Sequence, residues 1–181
     1  AFFAVGVKPG DEVIVPGYTF FASIAPILQC GGTPVLCDIE PETLTADPDD
    51  VEQRITEQTK AICVVHLWGN PARMDRFADL AKRYNLSLIE DCSHAHGASF
   101  DGTPVGAWGD VGCFSLQGPK PVTGGEAGVA VTNDAVLFDR MLMLGHANRA
   151  DQDQAAGTFQ GDNMAFGVKY RAHLYGMELA N

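Results

Sequence analysis

The feature that most limits what this chain can fold into is a repeated alternation of short, nearly all-apolar runs with longer amphipathic stretches. Glu12 to Pro16, Thr33 to Ile39, Lys60 to Leu67, Ser87 to Cys92, Val111 to Leu116 and Gly128 to Thr132 have the length and make-up of strands. A strand apolar at nearly every position must be covered on both faces, which parallel strands achieve through crossover helices. The expected fold is therefore α/β: three layers, with a mostly parallel central sheet and helices on both faces. The 181 residues, 46% hydrophobic and 19% charged, suit one such core.

Helix starts are marked at Asp47-Pro48 and Asn70-Pro71, where a capping side chain precedes a proline at the first helical position. The helix after Pro71 is predicted to bury Met74, Phe77, Leu80, Ala81 and Tyr84 along one stripe. A second, from Asp134 to Gly145, is predicted to bury Leu137, Met141 and Leu144 and to stop at Gly145. From His146 to Asn163 the pattern lapses into a long polar stretch of the kind that is usually functional. This divides the chain into 1–145 and a polar loop and helix over 146–181. The uncapped opening at Ala1-Phe2-Phe3 and the helix-like close at Met177–Asn181 carry the expectation of a fragment.

The net charge of −11 argues against nucleic acid or an anionic membrane as partner, because no basic cluster exists to displace counterions. Cys30, Cys37, Cys63, Cys92 and Cys113 form no C-x-x-C pair and sit mostly in apolar runs, which points to a reducing, cytoplasmic setting. No apolar run approaches the roughly 18 residues of a membrane span, so a soluble protein is expected.

Three segments can carry chemistry. In Ile89-Glu90-Asp91-Cys92-Ser93-His94-Ala95-His96-Gly97 an apolar strand ends in ionisable side chains, at the strand end where open α/β sheets collect ligands. Asp91 there can hold a proton on a pyridine nitrogen, as pyridoxal-phosphate (PLP) chemistry requires, or it can simply cap the following turn. His94 and His96, with Asp91 or Cys92, offer an alternative set of metal ligands, although His96 reads better as structural.

The second segment runs from Ser115 to Gly128, a strand entering a turn rich in glycine and proline around Lys120. Such a lysine suits Schiff-base chemistry, with the Ser115 hydroxyl and backbone N–H groups available to a phosphate; an ordinary hairpin-like turn is the other reading. The third segment, Val15 to Ser23, places Tyr18, Phe20 and Phe21 at a strand-to-helix junction. Phe20 is expected to face a flat ring, and Phe21 to fill the core.

Taken in order, these pieces resemble the DegT/DnrJ/EryC1/StrS family of PLP-dependent sugar aminotransferases. The likeness runs from Gly10-Asp11-Glu12-Val13-Ile14-Val15-Pro16 through Val65-His66-Leu67-Trp68-Gly69 and Glu90-Asp91 to Gly167-Val168-Lys169-Tyr170-Arg171. It implies the large domain of a type I PLP-dependent transferase over 1–145, with its N-terminal part missing, and a small domain following 181. It also implies the roles of single residues: Lys120 as the covalent cofactor lysine, Asp91 as the ring-nitrogen partner and Ser115 as a phosphate ligand. Phe20 would stack on the ring, His94 would flank it, and Arg171 would reach the neighbour's phosphate in a homodimer.

The implied reaction is amino transfer from glutamate or glutamine to a nucleotide-linked keto-sugar or a cyclitol. Lys120 speaks for this branch of the family over relatives with histidine at that place. Two further readings stand beside it: a catalytically incomplete cofactor-binding or assembly module, and a metal-dependent hydrolase using Asp91, His94 and His96.

Overall fold

The apolar runs become the strands of one six-stranded sheet in the computed structural model, which describes residues 1–145. Its strands are β1 (Glu12–Pro16), β2 (Thr33–Cys37), β3 (Thr59–Val65), β4 (Ser87–Asp91), β7 (Val111–Ser115) and β8 (Gly128–Val131), with β5 (Ser99–Phe100) and β6 (Thr103–Pro104) forming a separate ribbon. The order is β2-β1-β3-β4-β7-β8. Every pairing is parallel except the last, β7 with β8.

Helices cover both faces. Alternate residues of a strand point to opposite sides, and the two cores divide in that way. On one side Ile14, Ile62, Val64 and Leu88 meet Met74, Phe77 and Leu80 of α3 (Met74–Tyr84), with Val51 of α2 (Pro48–Gln53) in the same cluster. On the other, Val13, Val15, Cys63 and Ile89 meet Ile27 of α1 (Ala25–Gln29), and Leu137 and Met141 of α4 (Ala135–Gly145) pack against them. The three-layer expectation is met. Phe77, fully buried in the first half of α3, contributes roughly 1.5–3 kcal/mol by its removal from water.

Local signals were followed unevenly. Asp47 caps α2 by accepting from Asp49 N at 2.9 Å, and Asp134 Oδ1 accepts from Val136 N and Leu137 N at the start of α4. Asn70-Pro71, by contrast, does not open a helix. The Asn70 side chain donates to the Thr43 carbonyl at 2.9 Å, and α3 begins only at Met74, without a side-chain cap at Arg73. A distant carbonyl has captured the capping group.

Tyr84 is also displaced from its predicted place. It is exposed, with its hydroxyl donating to Glu52 Oε1 at 2.9 Å, because it lies in the last turn of α3, where its polar tip finds a surface carboxylate. α3 then stops at Asn85, which takes the left-handed φ of 54°. β2 and β3 are shorter than predicted: Ile39 leaves the sheet to bridge Ala46, and Leu67 enters a 3-10 turn over Leu67–Gly69.

The β5–β6 ribbon was not foreseen, although Asp101-Gly102 between its strands is a hairpin signal, and both residues adopt positive φ, 46° and 77°. All five cysteines are free thiols. No helix among the described residues is long and apolar enough to cross a membrane. The side chain of Leu144, the termination predicted at Gly145, and the polar stretch over 146–181 lie outside what the structure describes.

Candidate active site

Because β1, β3, β4 and β7 run parallel, their carboxyl ends share one edge of the sheet. The chain order reverses between β1 and β3, the kind of position where open α/β sheets bind ligands. A cavity of ≈ 310 Å³ lies at this edge. Phe20, Asp91, His94, Ser115 and Lys120 all line it, so five residues singled out from three separated segments are brought to one place. Arg171 lies outside the described residues.

Asp91 ends β4. Its Oδ1 accepts from Ser93 N at 3.0 Å, so it does cap the following turn. Its Oδ2 accepts from the buried Ser23 hydroxyl at 2.7 Å. A carboxylate offers about four lone-pair positions, and these two bonds leave capacity on both oxygens. The capping and ligand-binding readings are therefore compatible.

His94 accepts from Trp68 N through Nδ1 at 3.3 Å, which leaves the proton on Nε2. Burial lowers its pKa, as do the charges of Lys120 and His96, against the opposing pull of Asp91. The donor of this bond comes from a residue at φ 52°, a left-handed conformation that costs a non-glycine of order 1–3 kcal/mol and that clusters at functional sites. The Trp68 indole stands exposed, edge-on to Tyr18 with ring centres 5.9 Å apart.

Lys120 sits in the loop joining antiparallel β7 and β8, so the hairpin reading is also realised. Leu116 N donates to Ala127 O at 2.9 Å, Gly124 N to Leu116 O at 2.8 Å and Lys120 N to Gln117 O at 2.9 Å. This closed loop leans the lysine over the cavity. Among the described residues its amine has neither an ion-pair nor a hydrogen-bond partner. Ser115, at the end of β7, accepts only a long 3.4 Å bond from Gln117 N, and its hydroxyl proton is free to donate.

Phe20 is 63% exposed beside the cavity. Phe21 is not in the core as predicted: it is 67% exposed and lies against Phe20 at 4.4 Å. The 3-10 turn over Phe21–Ser23 buries Ser23 in its place. The sequence reading missed Thr19, Ser23, Ser93 and Glu126 as cavity residues. The i, i+4 spacing of Thr19 and Ser23 beside the aromatics was the available signal for the first two.

Asp91, His94 and His96 do not form a metal-ligating group among the described residues. His66, Glu90 and Cys92 do come within 4.8 Å of one another, but their capacity is spent. His66 binds Ala72 N and Glu90 through its two ring nitrogens, and Glu90 also accepts from Gly106, Trp108 and Gly109 N. Burial and nearby carboxylates hold the Cys92 thiol protonated.

The family model for DegT/DnrJ/EryC1/StrS aminotransferases matches residues 1–173. The chain belongs to that family. It is 49% identical over 152 residues to an L-glutamine:2-deoxy-scyllo-inosose aminotransferase of Streptomyces kanamyceticus, covering 84% of this chain and 36% of that protein. It is 47% identical over 142 residues to a GDP-perosamine synthase of Escherichia coli O157:H7, covering 78% and 39%. The structure of NtdA from Bacillus subtilis with bound cofactor PMP superposes with a TM-score of 0.78 at 33% identity, covering 84% of this chain and 34% of that one.

The chain thus spans little more than a third of the length of these family members. The family is PLP-dependent, and the residues present suit such a group. They supply an anchored carboxylate with spare lone pairs, an untied amine, a free hydroxyl and an exposed aromatic ring around one cavity.

Proposed function

We propose that this chain is the cofactor-carrying part of a PLP-dependent aminotransferase that moves an amino group from glutamine or glutamate to a cyclitol ketone or a nucleotide-linked keto-sugar. The observation that carries the reading is the convergence of Lys120, Asp91, Ser115, His94 and Phe20 on one cavity from β1, β4 and β7 and their loops. Glutamine and an inosose come first because a 49% identical relative carries both in its name; a nucleotide sugar comes second on the 47% identical perosamine synthase.

PLP, when bound, supplies an electron sink for the carbon that loses or gains the amino group. The protein's share is to hold and orient. Asp91 keeps a proton on the ring nitrogen, Ser115 donates to the phosphate, and Phe20 lies against the ring. The neutral His94, with its proton on Nε2, flanks the ring as a hydrogen-bond donor. Lys120 would hold the cofactor covalently and, as a free amine, would move a proton to and from the reacting carbon.

In this reading 1–145 is most of the large domain and 146–181 leads towards a small one. The working unit is a cytoplasmic homodimer in which Arg171 contacts the partner's phosphate through charge-assisted hydrogen bonds.

The test is the visible absorption spectrum of the full-length protein with PLP, before and after borohydride, followed by peptide mapping. A band fixed by reduction at Lys120, bleached by glutamine or glutamate and lost in Lys120→Ala, is the expected result. No band would leave the incomplete-module reading, and an adduct on another residue would overturn the role of Lys120.

A further inference from the structure

Ser23 contributes no aromatic ring, charge or nucleophile, yet it is the most buried polar residue around the cavity, at 5% exposure. Its hydroxyl lies 2.7 Å from Asp91 Oδ2, across 68 positions of sequence. Thr19 Oγ1 lies 3.0 Å from Ser23 Oγ and also lines the cavity. A carboxylate only accepts, so the Ser23 O–H points to Asp91, and its oxygen is left to accept from Thr19. The order of donation is therefore set: Thr19 Oγ1 to Ser23 Oγ to Asp91 Oδ2.

Ser93 N holds the other oxygen, Oδ1, at 3.0 Å. Two donors from two different elements, the turn after β1 and the turn after β4, thus grip the two oxygens separately. Rotation of the carboxylate would break both bonds, so its plane is fixed, and one lone-pair direction per oxygen is left free on a residue that lines the cavity. Strand β3 lies between β1 and β4 in the sheet, and the hydroxyl relay reaches across its end.

We infer that Ser23, backed by Thr19, is the positioning residue for Asp91, setting the direction in which that carboxylate meets the ring nitrogen of the cofactor. The inference rests on the proposed PLP chemistry. It assigns Ser23 no contact with the reacting atoms.

The experiment compares wild type, Ser23→Ala, Ser23→Thr and Thr19→Val in the full-length protein. It reads the PLP dissociation constant by absorbance titration, the nitrogen-15 shift of ring-labelled PLP, and the melting temperature of each protein without cofactor. Because Ser23 donates to the charged carboxylate that meets the ring nitrogen, Ser23→Ala is expected to weaken PLP binding by roughly tenfold.

The labelled ring nitrogen should also move towards its unprotonated shift in Ser23→Ala. Thr19→Val should show a smaller change in the same direction, and Ser23→Thr should restore both readouts. Wild-type binding and nitrogen shift retained in Ser23→Ala would overturn the relay alone. A parallel loss of melting temperature that Ser23→Thr does not repair would also overturn it, as a structural role. A wild type that takes up no PLP would overturn the proposed function, and the relay's role with it.

Discussion

His66 and Glu90 meet at 3.0 Å with neither side chain exposed to solvent. His66 receives Ala72 N–H on Nδ1 at 3.1 Å, so Nε2 bears the proton and donates to Glu90. Three backbone N–H groups from the segment leading into β7, at Gly106, Trp108 and Gly109, complete the carboxylate's shell. Burial pushes the Glu90 pKa up, but the bonds from His66, Gly106 and Gly109 outweigh it and leave it below the ordinary 4.5.

A carboxylate with a folded pKa below its unfolded value adds stability that is fully present above about pH 4.5 and is lost as pH falls through the folded value. Glu90→Gln, which turns an NH2 donor towards N–H groups that need an acceptor, should cost about 1–3 kcal/mol at pH 7 and remove this component of the acid sensitivity. Urea unfolding of both proteins from pH 7 to pH 3 measures it. Curves that stay parallel down to pH 3 would refute the assignment.

His94 should titrate below the ordinary histidine value of 6.5, with burial as the first cause and the Lys120 charge next. Its ring is then neutral at pH 7, with the proton on Nε2. Since its folded pKa is lowered, its contribution to stability is present above about pH 6.5 and declines as pH falls below that. Two-dimensional proton–nitrogen spectra of the imidazole follow both the midpoint and the tautomer; a midpoint above 6.5 would contradict the geometry.

The cysteines should divide by burial. Burial, with Asp50 beside it, pushes the Cys37 thiol up to about 12, and burial raises Cys63 and Cys92 as well. Since the thiolate is the reactive form, these three should resist alkylation at pH 8 in the native protein, while the half-exposed Cys30 reacts. Mass spectrometry after timed labelling, with a denatured control in which all five react, checks the order. Fast native labelling of Cys63 would show that the β3 core opens.

Gly112→Ala should be costly. A Cβ there would stand 2.5 Å from Gly106 Cα and 2.7 Å from its carbonyl oxygen, and backbone cannot rotate away as a side chain can. Overpacking of this kind costs about 1–3 kcal/mol. Because Gly106 N binds Glu90, the damage should couple to the His66–Glu90 pair. A double-mutant cycle of Gly112→Ala with Glu90→Gln on thermal stability should depart from additivity; strict additivity would remove the link.

What the sequence determined by itself was whatever depends on local pattern. Continuous apolar runs demanded burial on both faces, so the parallel three-layer sheet could be read from them, and the cap at Asp47 followed from a neighbour two residues away. The chemistry-bearing segments were legible for the same reason. A carboxylate at a strand end, and a lysine in a tight turn, stand out within a few residues of sequence.

Only the tertiary structure decided questions that turn on distant partners. Asn70 was lost as a cap because Thr43 offered it a carbonyl, Phe21 faced outward because Ser23 took the buried position, and Ser23 met Asp91 from 68 positions away. His66 and Glu90 passed as parts of a family pattern until folding placed Glu90, on β4, beside His66, just past the end of β3, in the dry interior. Hydrogen bonds between remote side chains have no periodicity for a sequence to display. They exist only once parallel strands lie side by side and carry their carboxyl ends to a common edge.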